Sequence, residues 1–152
     1  MDTLGYQRHR QLYFEDIQEN EEVPEIWLEV SFKRVIQDAA ATLDYFPGHH
    51  DPEYARAQGQ KTIYLNTMCF HGFIDRVVTD WAGPYTFIVR RKMTMSASVY
   101  AGDTMYGKGR VLRKYVQDGR HLLDIAIEVG NESGVCCPSS VTVELPRKND
   151  RM

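Results

Sequence analysis

No apolar run in the 152 residues approaches the roughly 20 that a membrane span requires, which excludes a helical membrane protein. No long cluster of Lys and Arg is present either, and the formal net charge is −3, so non-specific nucleic-acid binding is disfavoured as a main role. Cysteine is scarce, with Cys69 alone and Cys136 next to Cys137. The count is odd, neighbours rarely pair, and the spacing matches no zinc ribbon, so reduced thiols in or near a core are expected. The opening MDTLGYQRHRQLYFEDI lacks the apolar centre of a signal peptide, and a cytoplasmic location is expected. Repeats and linkers are missing too. What remains is globular: 43% hydrophobic and 26% charged residues. The length fits a single domain over residues 1–152, with a core of about 13–146. A chain of this size buries roughly two-thirds of its unfolded surface without needing a staple or a metal.

Residues 1–24 are polar and acidic, and EIWLEV (25–30) reads as a short strand. From Ser31, a plausible N-cap, residues Val35, Ile36, Ala39, Ala40 and Leu43 recur at helical spacing, and Pro47-Gly48 is expected to end that helix. A second, short helix should start at Asp51, with Pro52 at its first position. A long helix is expected from Ile63 to Trp81, apolar round most of its circumference and stopped by Gly83-Pro84. After Pro84 the period becomes two. Strands are expected at 87–95, 105–116, 123–129 and 140–146, joined by AGDT (101–104), QDGRH (117–121) and NESG (131–134). PRKNDRM is a polar tail. Short turns between consecutive strands predict an antiparallel sheet, and the buried helix before them predicts an α+β layout with that sheet folded round it.

Most of the visible chemistry lies in LDYFPGHHDPEYA, residues Leu43 to Ala55. Asp44 is placed at a helix C-terminus, where the dipole disfavours an anion. It reads either as a polar helix end or as a carboxylate whose burial suits acid/base work. His49 and His50 read either as polar loop residues or as one half of an acid/base pair, because the Pro-Gly turn can fold them back toward Asp44. Periodicity does not separate the two histidines. A metal site in which the two histidines are joined by Asp44, Asp51 or His71 is weaker, since adjacent histidines share no helix face and no His-x-x-x-His or Cys pair accompanies them.

The stretch resembles the signature of the MaoC-like dehydratases, or R-specific enoyl-CoA hydratases, roughly D-x-N-P-[ILV]-H-x-D-x-x-x-A. Asp44, Pro47, His49, Asp51 and Ala55 match it in place, and YFEDI, AGDT and NESG are also similar to that family. HHDPEYARAQGQKTIYLN and VTDWAGP resemble more closely the small subunits of heteromeric MaoC-type hydratases that act on steroid side-chain CoA thioesters in actinobacteria. Three departures stand out. Phe46 replaces the family Asn, Gly48 replaces the aliphatic residue, and GQKTIYLNT replaces a glycine-rich G-G-P-I-A-H-G.

The resemblance implies a hot-dog fold and hydration of a trans-2-enoyl-CoA to a 3R-hydroxyacyl-CoA, and the likeness to the steroid-type subunits implies a bulky, steroid-like acyl group. Asp44 and His49 would be the catalytic pair, with no metal and no cofactor beyond the coenzyme A of the substrate. A backbone N–H at Asn66 or Thr67 would face the thioester oxygen. Arg90, Arg91 and Lys92 form the densest basic cluster and are the candidates for the coenzyme A phosphates, against a reading as a solvated strand. His71 is expected to be a satisfied core or interface histidine, and Met93, Met95 and Met105 core or pocket lining. A homodimer, or a heteromer with a second hot-dog chain, is the expected assembly. The alternatives are an acyl-CoA thioesterase and a non-catalytic partner subunit.

Overall fold

The period-two alternation after Pro84 becomes four of the five strands. The structure, a computed structural model, describes residues 10–149. The opening stretch up to residue 9 and the last three residues of the polar tail lie outside the described residues. In chain order the elements are β1 (Glu22–Glu29), α1 (Phe32–Thr42), α2 (Pro52–Ala57), α3 (Thr67–Ala82), β2 (Phe87–Met93), β3 (Thr104–Gln117), β4 (Arg120–Asn131) and β5 (Gly134–Glu144). The five strands form one antiparallel sheet in the order β1-β3-β4-β5-β2. No helix among the described residues is long and apolar enough to cross a membrane.

Local chemistry accounts for most boundaries. The Ser31 side chain accepts from the Arg34 N–H at 3.2 Å and starts α1. The Asp51 carboxylate accepts from Glu53 and Tyr54 N–H groups and starts α2, with Pro52 at its first position. Asp118 and Gly119 both adopt positive φ (52° and 76°), the geometry of the tight turn between β3 and β4.

Three expectations need correction. The long helix starts at Thr67 rather than Ile63, because Tyr64 forms a lone antiparallel bridge with Tyr100 and Leu65 donates to Val99 O. Those contacts satisfy the backbone as extended chain. The strand expected at 140–146 begins at Gly134. Pro138 hid this from the sequence, but β2 ends opposite Ser139, so no partner strand there needs the missing N–H. Finally, β2 and β3 are not hairpin neighbours. They are separated by β5 and β4, and residues 94–103 cross between them.

The core lies between α3 and the sheet. Phe70, Phe73, Ile74, Val77 and Val78 of α3 are buried with Met105, Val111, Leu123, Ile125 and Val129. A Cβ on Gly107 would lie 2.6 Å from Val77 Cγ2 and 2.8 Å from the Phe73 ring, so β3 approaches the helix as closely as only glycine allows. One stripe of α3 stays outside: Met68, Gly72, Arg76 and Asp80, four residues apart, are exposed.

Candidate active site

Helix α1 ends before Pro47-Gly48 is reached. Leu43 takes the left-handed conformation (φ 56°) and its N–H meets Ala40 O, while the Asp44 N–H reaches back to Ala39 O at 3.0 Å. This is a Schellman closure, unusual in using leucine rather than glycine. It places Asp44 just beyond the helix with its backbone fixed by α1. A short 3-10 turn over Pro47–His49 then folds the chain back, with His49 N–H donating to Phe46 O at 3.0 Å and Asp51 N–H to Pro47 O at 2.8 Å.

The two turns bring His49 Nε2 to 3.4 Å from Asp44 Oδ2. His49 is buried (7% exposed), whereas His50 is exposed and turns its Nε2 to Tyr45 O at 3.0 Å. The neighbouring histidines, indistinguishable by pattern, are thus separated by direction. His49 Nδ1 lies 2.8 Å from Tyr64 O. A carbonyl only accepts, so Nδ1 carries the hydrogen and the Nε2 of the neutral ring presents its lone pair to Asp44. The imidazole sits between aromatic edges, with the Phe46 centroid at 5.6 Å and the Tyr64 centroid at 5.0 Å. A Cβ on Gly48 would lie 2.6 Å from Tyr64 Oη and 2.7 Å from the Phe46 ring, so any larger residue at that turn must displace one of those two side chains.

A network that the sequence did not announce ties α1 to the start of α3. Asn66 is 2% exposed and caps α3, its Oδ1 accepting from Cys69 N–H at 3.0 Å. Its Nδ2 donates to Thr42 Oγ1 at 2.7 Å, and Thr42 Oγ1 donates to Asp38 O at 2.7 Å. The Asn66 N–H faces Asp38 Oδ2 at 3.4 Å. Asp38 is half-buried, and that desolvation pushes its carboxyl above the ordinary range against the opposing pull of Asn66 N–H and His49. A second tie is Asp103 of the AGDT turn, which is buried. Its carboxylate accepts from Tyr100 N–H (2.9 Å) and Asn131 Nδ2 (2.8 Å), and its carbonyl accepts from Val30 N–H. Ala101 N–H meets Ile63 O. The AGDT turn thereby anchors both the chain entering α1 and the segment leading into α3.

Residues 16–133 match the MaoC like domain. The chain belongs to the MaoC-like dehydratase family. It is 33% identical over 127 residues to the 3-oxo-4,17-pregnadiene-20-carboxyl-CoA hydratase beta subunit of Mycobacterium tuberculosis, covering 84% of this chain and 94% of that one. Among solved structures it is similar to the ChsH1–ChsH2 complex of M. tuberculosis, with TM-score 0.77, 31% identity, and coverage of 84% of this chain and 98% of that chain. The R-hydratase PhaJ1 of Pseudomonas aeruginosa, at TM-score 0.82, 18% identity, and coverage of 91% and 88%, shares the fold. The sheet wrapped round α3 is the hot-dog fold of these neighbours.

Within this MaoC-like chain the other expected residues are distributed less tightly. Thr67 occupies the first position of α3, where a backbone N–H has no acceptor inside the helix. Asn66 has its N–H turned to Asp38 and its side chain committed to Thr42 and Cys69. Arg90, Arg91 and Lys92 do not act as a cluster. By strand alternation Arg91 shares a face with Met93, while Arg90 and Lys92, which also follow the bulge at Val89, point the other way. Arg91 is ion-paired with Asp75 of α3 and donates to His71 O at 3.1 Å; Arg90 reaches Thr142 Oγ1 at 3.5 Å.

His71, expected to be a satisfied core or interface histidine, has its Nδ1 buried without a hydrogen-bond partner among the described residues of this single chain, and burial together with Arg91 lowers its pKa. Met105 is buried and Met93 packs on the core, but Met95 is 38% exposed. Cys136 and Cys137 are buried, and burial pushes the Cys69 thiol up to about 12. Among the described residues no three His, Cys, Asp or Glu side chains cluster as a metal ligand set.

Proposed function

We propose that this chain hydrates a trans-2-enoyl-CoA thioester to the 3R-hydroxyacyl-CoA, and catalyses the reverse dehydration, using Asp44 and His49. The observation that carries this is the 3.4 Å approach of His49 Nε2 to Asp44 Oδ2 with the other ring nitrogen tied to Tyr64 O. An ionised carboxylate and a lone-pair nitrogen are both acceptors. Side by side they suit a water that donates one O–H to each. As the water oxygen bonds to C3, the pair takes one of its protons; it returns one proton to C2 from the same face. Both residues end in their starting state, and the addition is syn. Charge that gathers on the thioester oxygen needs a donor, and the Thr67 N–H at the start of α3 is suited to it.

The acyl group fits a bulky apolar class. Leu43 (73% exposed), Tyr45 and Phe46 flank Asp44 in sequence, and Met68 opens the first turn of α3; all four are exposed. Surface of that kind is normally covered. Grooves of about 610 and 360 Å³ lie elsewhere on the sheet and include neither Asp44 nor His49. A second hot-dog chain closing the acyl tunnel over this loop accounts for both facts, and the ChsH1–ChsH2 complex is a precedent for such pairing. The reading places the protein in the cytoplasm and needs no cofactor beyond the coenzyme A of the substrate. A thioesterase is less well supported, because the α3 carboxylates Asp75 and Asp80 are ion-paired with Arg91 and Arg76.

The test is hydration of enoyl-CoA thioesters from short linear to polycyclic, by the chain alone and with any hot-dog chain that co-purifies. Turnover should be greatest with the bulky substrates. Failure to hydrate any of them in either form, or saturated acyl-CoA hydrolysis instead, sinks the reading.

A further inference from the structure

We propose that the Tyr64 hydroxyl is a third polar group of this site, a hydrogen-bond donor to the thioester oxygen of the bound substrate. The inference rests on the hydratase reading above and adds a residue to it. Tyr64 is attached to the pair twice. Its carbonyl holds His49 Nδ1 at 2.8 Å, and its ring stands edge-on to the imidazole at 5.0 Å and 78°. Its hydroxyl end hangs over the Pro47-Gly48 turn, where a Cβ on Gly48 would come within 2.6 Å of it. That turn joins Asp44 to His49, so the phenol tip packs against the loop that carries the proposed pair.

What marks the hydroxyl is that no described residue bonds to it. Tyr100, its neighbour across the lone bridge, donates its own hydroxyl to Gln60 Oε1 at 2.7 Å. Tyr64 Oη has no hydrogen-bond partner among the described residues. The buried polar atoms left without a partner belong to Thr62, His71 and Thr86, so the Tyr64 hydroxyl is accessible as well as unbonded.

The site's needs then select the role. Asp44 and His49 Nε2 are both acceptors, which suits them to water and leaves neither to bind an oxygen that is gaining negative charge. The Asn66 N–H faces the Asp38 carboxylate instead of the site, which leaves the Thr67 N–H as the main-chain donor and a place for a second donor beside it. A neutral phenol is a donor, and the thioester oxygen is the acceptor that strengthens as the enolate forms. Burial, together with the charges of Tyr54, Tyr100 and Asp44, raises the Tyr64 pKa, which keeps the proton on the oxygen at neutral pH.

Tyr64→Phe tests this directly, in whichever assembly the chain purifies, with His49→Ala as the parallel arm. Loss of a transition-state donor should lower kcat by about ten- to a hundredfold with KM little changed. Thermal midpoint should stay at the wild-type value, because the removed hydroxyl has no hydrogen-bond partner among the described residues. A Tyr64→Phe kcat equal to wild type, with His49→Ala inactive, overturns this inference and leaves the hydratase reading standing. A loss of activity matched by a fall in thermal midpoint makes the hydroxyl structural and also overturns it. If wild type and His49→Ala are equally active, the hydratase reading fails and this inference fails with it.

Discussion

The imidazole of His49 is oriented by the main chain of Tyr64: Nδ1 lies 2.8 Å from the Tyr64 carbonyl oxygen, and Nε2 consequently faces Asp44. The residues are 15 apart in sequence, and the contact needs no side-chain hydrogen-bond partner. The tautomer that the proposed proton abstraction needs is therefore set by the fold itself. A backbone carbonyl as the orienting group also cannot be lost by substitution at residue 64, which is why Tyr64→Phe can isolate the hydroxyl.

Removal of either member of the pair should abolish most turnover. Asp44→Asn and His49→Ala are each expected to lower kcat by about a hundred- to ten-thousandfold, the range of positioned acid/base groups. Asp44→Asn should leave the thermal midpoint near wild type, since the Asp44 side chain is 37% exposed. Steady-state kinetics on bulky and linear enoyl-CoA thioesters, with calorimetry on the same samples, check both statements.

Gly48→Ala should destabilise by about 1–3 kcal/mol through overpacking. The new methyl group would press on the Tyr64 hydroxyl and the Phe46 ring, both of which pack beside His49. The same substitution in a Tyr64→Ala background should cost less, because one obstruction is gone. Denaturant melts of the two single variants and the double variant measure the coupling; strict additivity would contradict the geometry.

Asp38 predicts a pH effect on stability. Desolvation raises its folded-state pKa above the ordinary 3.8, so the folded chain holds that proton to higher pH than the unfolded chain. Stability from this group therefore falls as pH rises from about 3.8 through the raised value, and the penalty is complete above it. Asp38→Asn carries no such penalty and retains an acceptor for the Asn66 N–H. Its thermal midpoint should exceed wild type at neutral pH and converge with it toward pH 3.8. A difference constant across that range would rule the account out.

All three thiols should be slow to react in the folded protein. Cys136 and Cys137 are buried, and Cys69, at about 12, is almost wholly protonated at neutral pH. A thiol-reactive chromophore should label none of them at pH 7.5 until denaturant is added. Rapid labelling of Cys69 under native conditions would show its burial to be wrong.

The motif positions were legible in the sequence because their reasons are local. Asp51-Pro52 starts a helix by capping chemistry, and Asp118-Gly119 turns a hairpin by its φ values. Asp44 and His49 were named by register in a family signature. What stayed hidden depends on distant contacts. Asp38 reads as one more polar residue on an amphipathic helix until Asn66, 28 residues away, is packed against it. Tyr64 falls in an apolar run that looks helical and becomes extended only because Tyr100 pairs with it. In the basic triplet, alternation already puts Arg91 on the opposite face from Arg90 and Lys92; what the sequence did not mark is that Arg91 is held by Asp75 of α3, 16 residues away.

The closure of α1 at Leu43 constrains how this gene region can change. Asp44 takes its position from Ala39 O, so the length of α1 sets where the carboxylate points. One residue inserted between Ser31 and Ala39 would turn everything after it by about 100°. It would carry Asp44 away from His49 and rotate Ala39 out of the core in the same stroke. Lineages of this protein should therefore accumulate substitutions on the exposed face of α1 freely while tolerating no insertion or deletion within it.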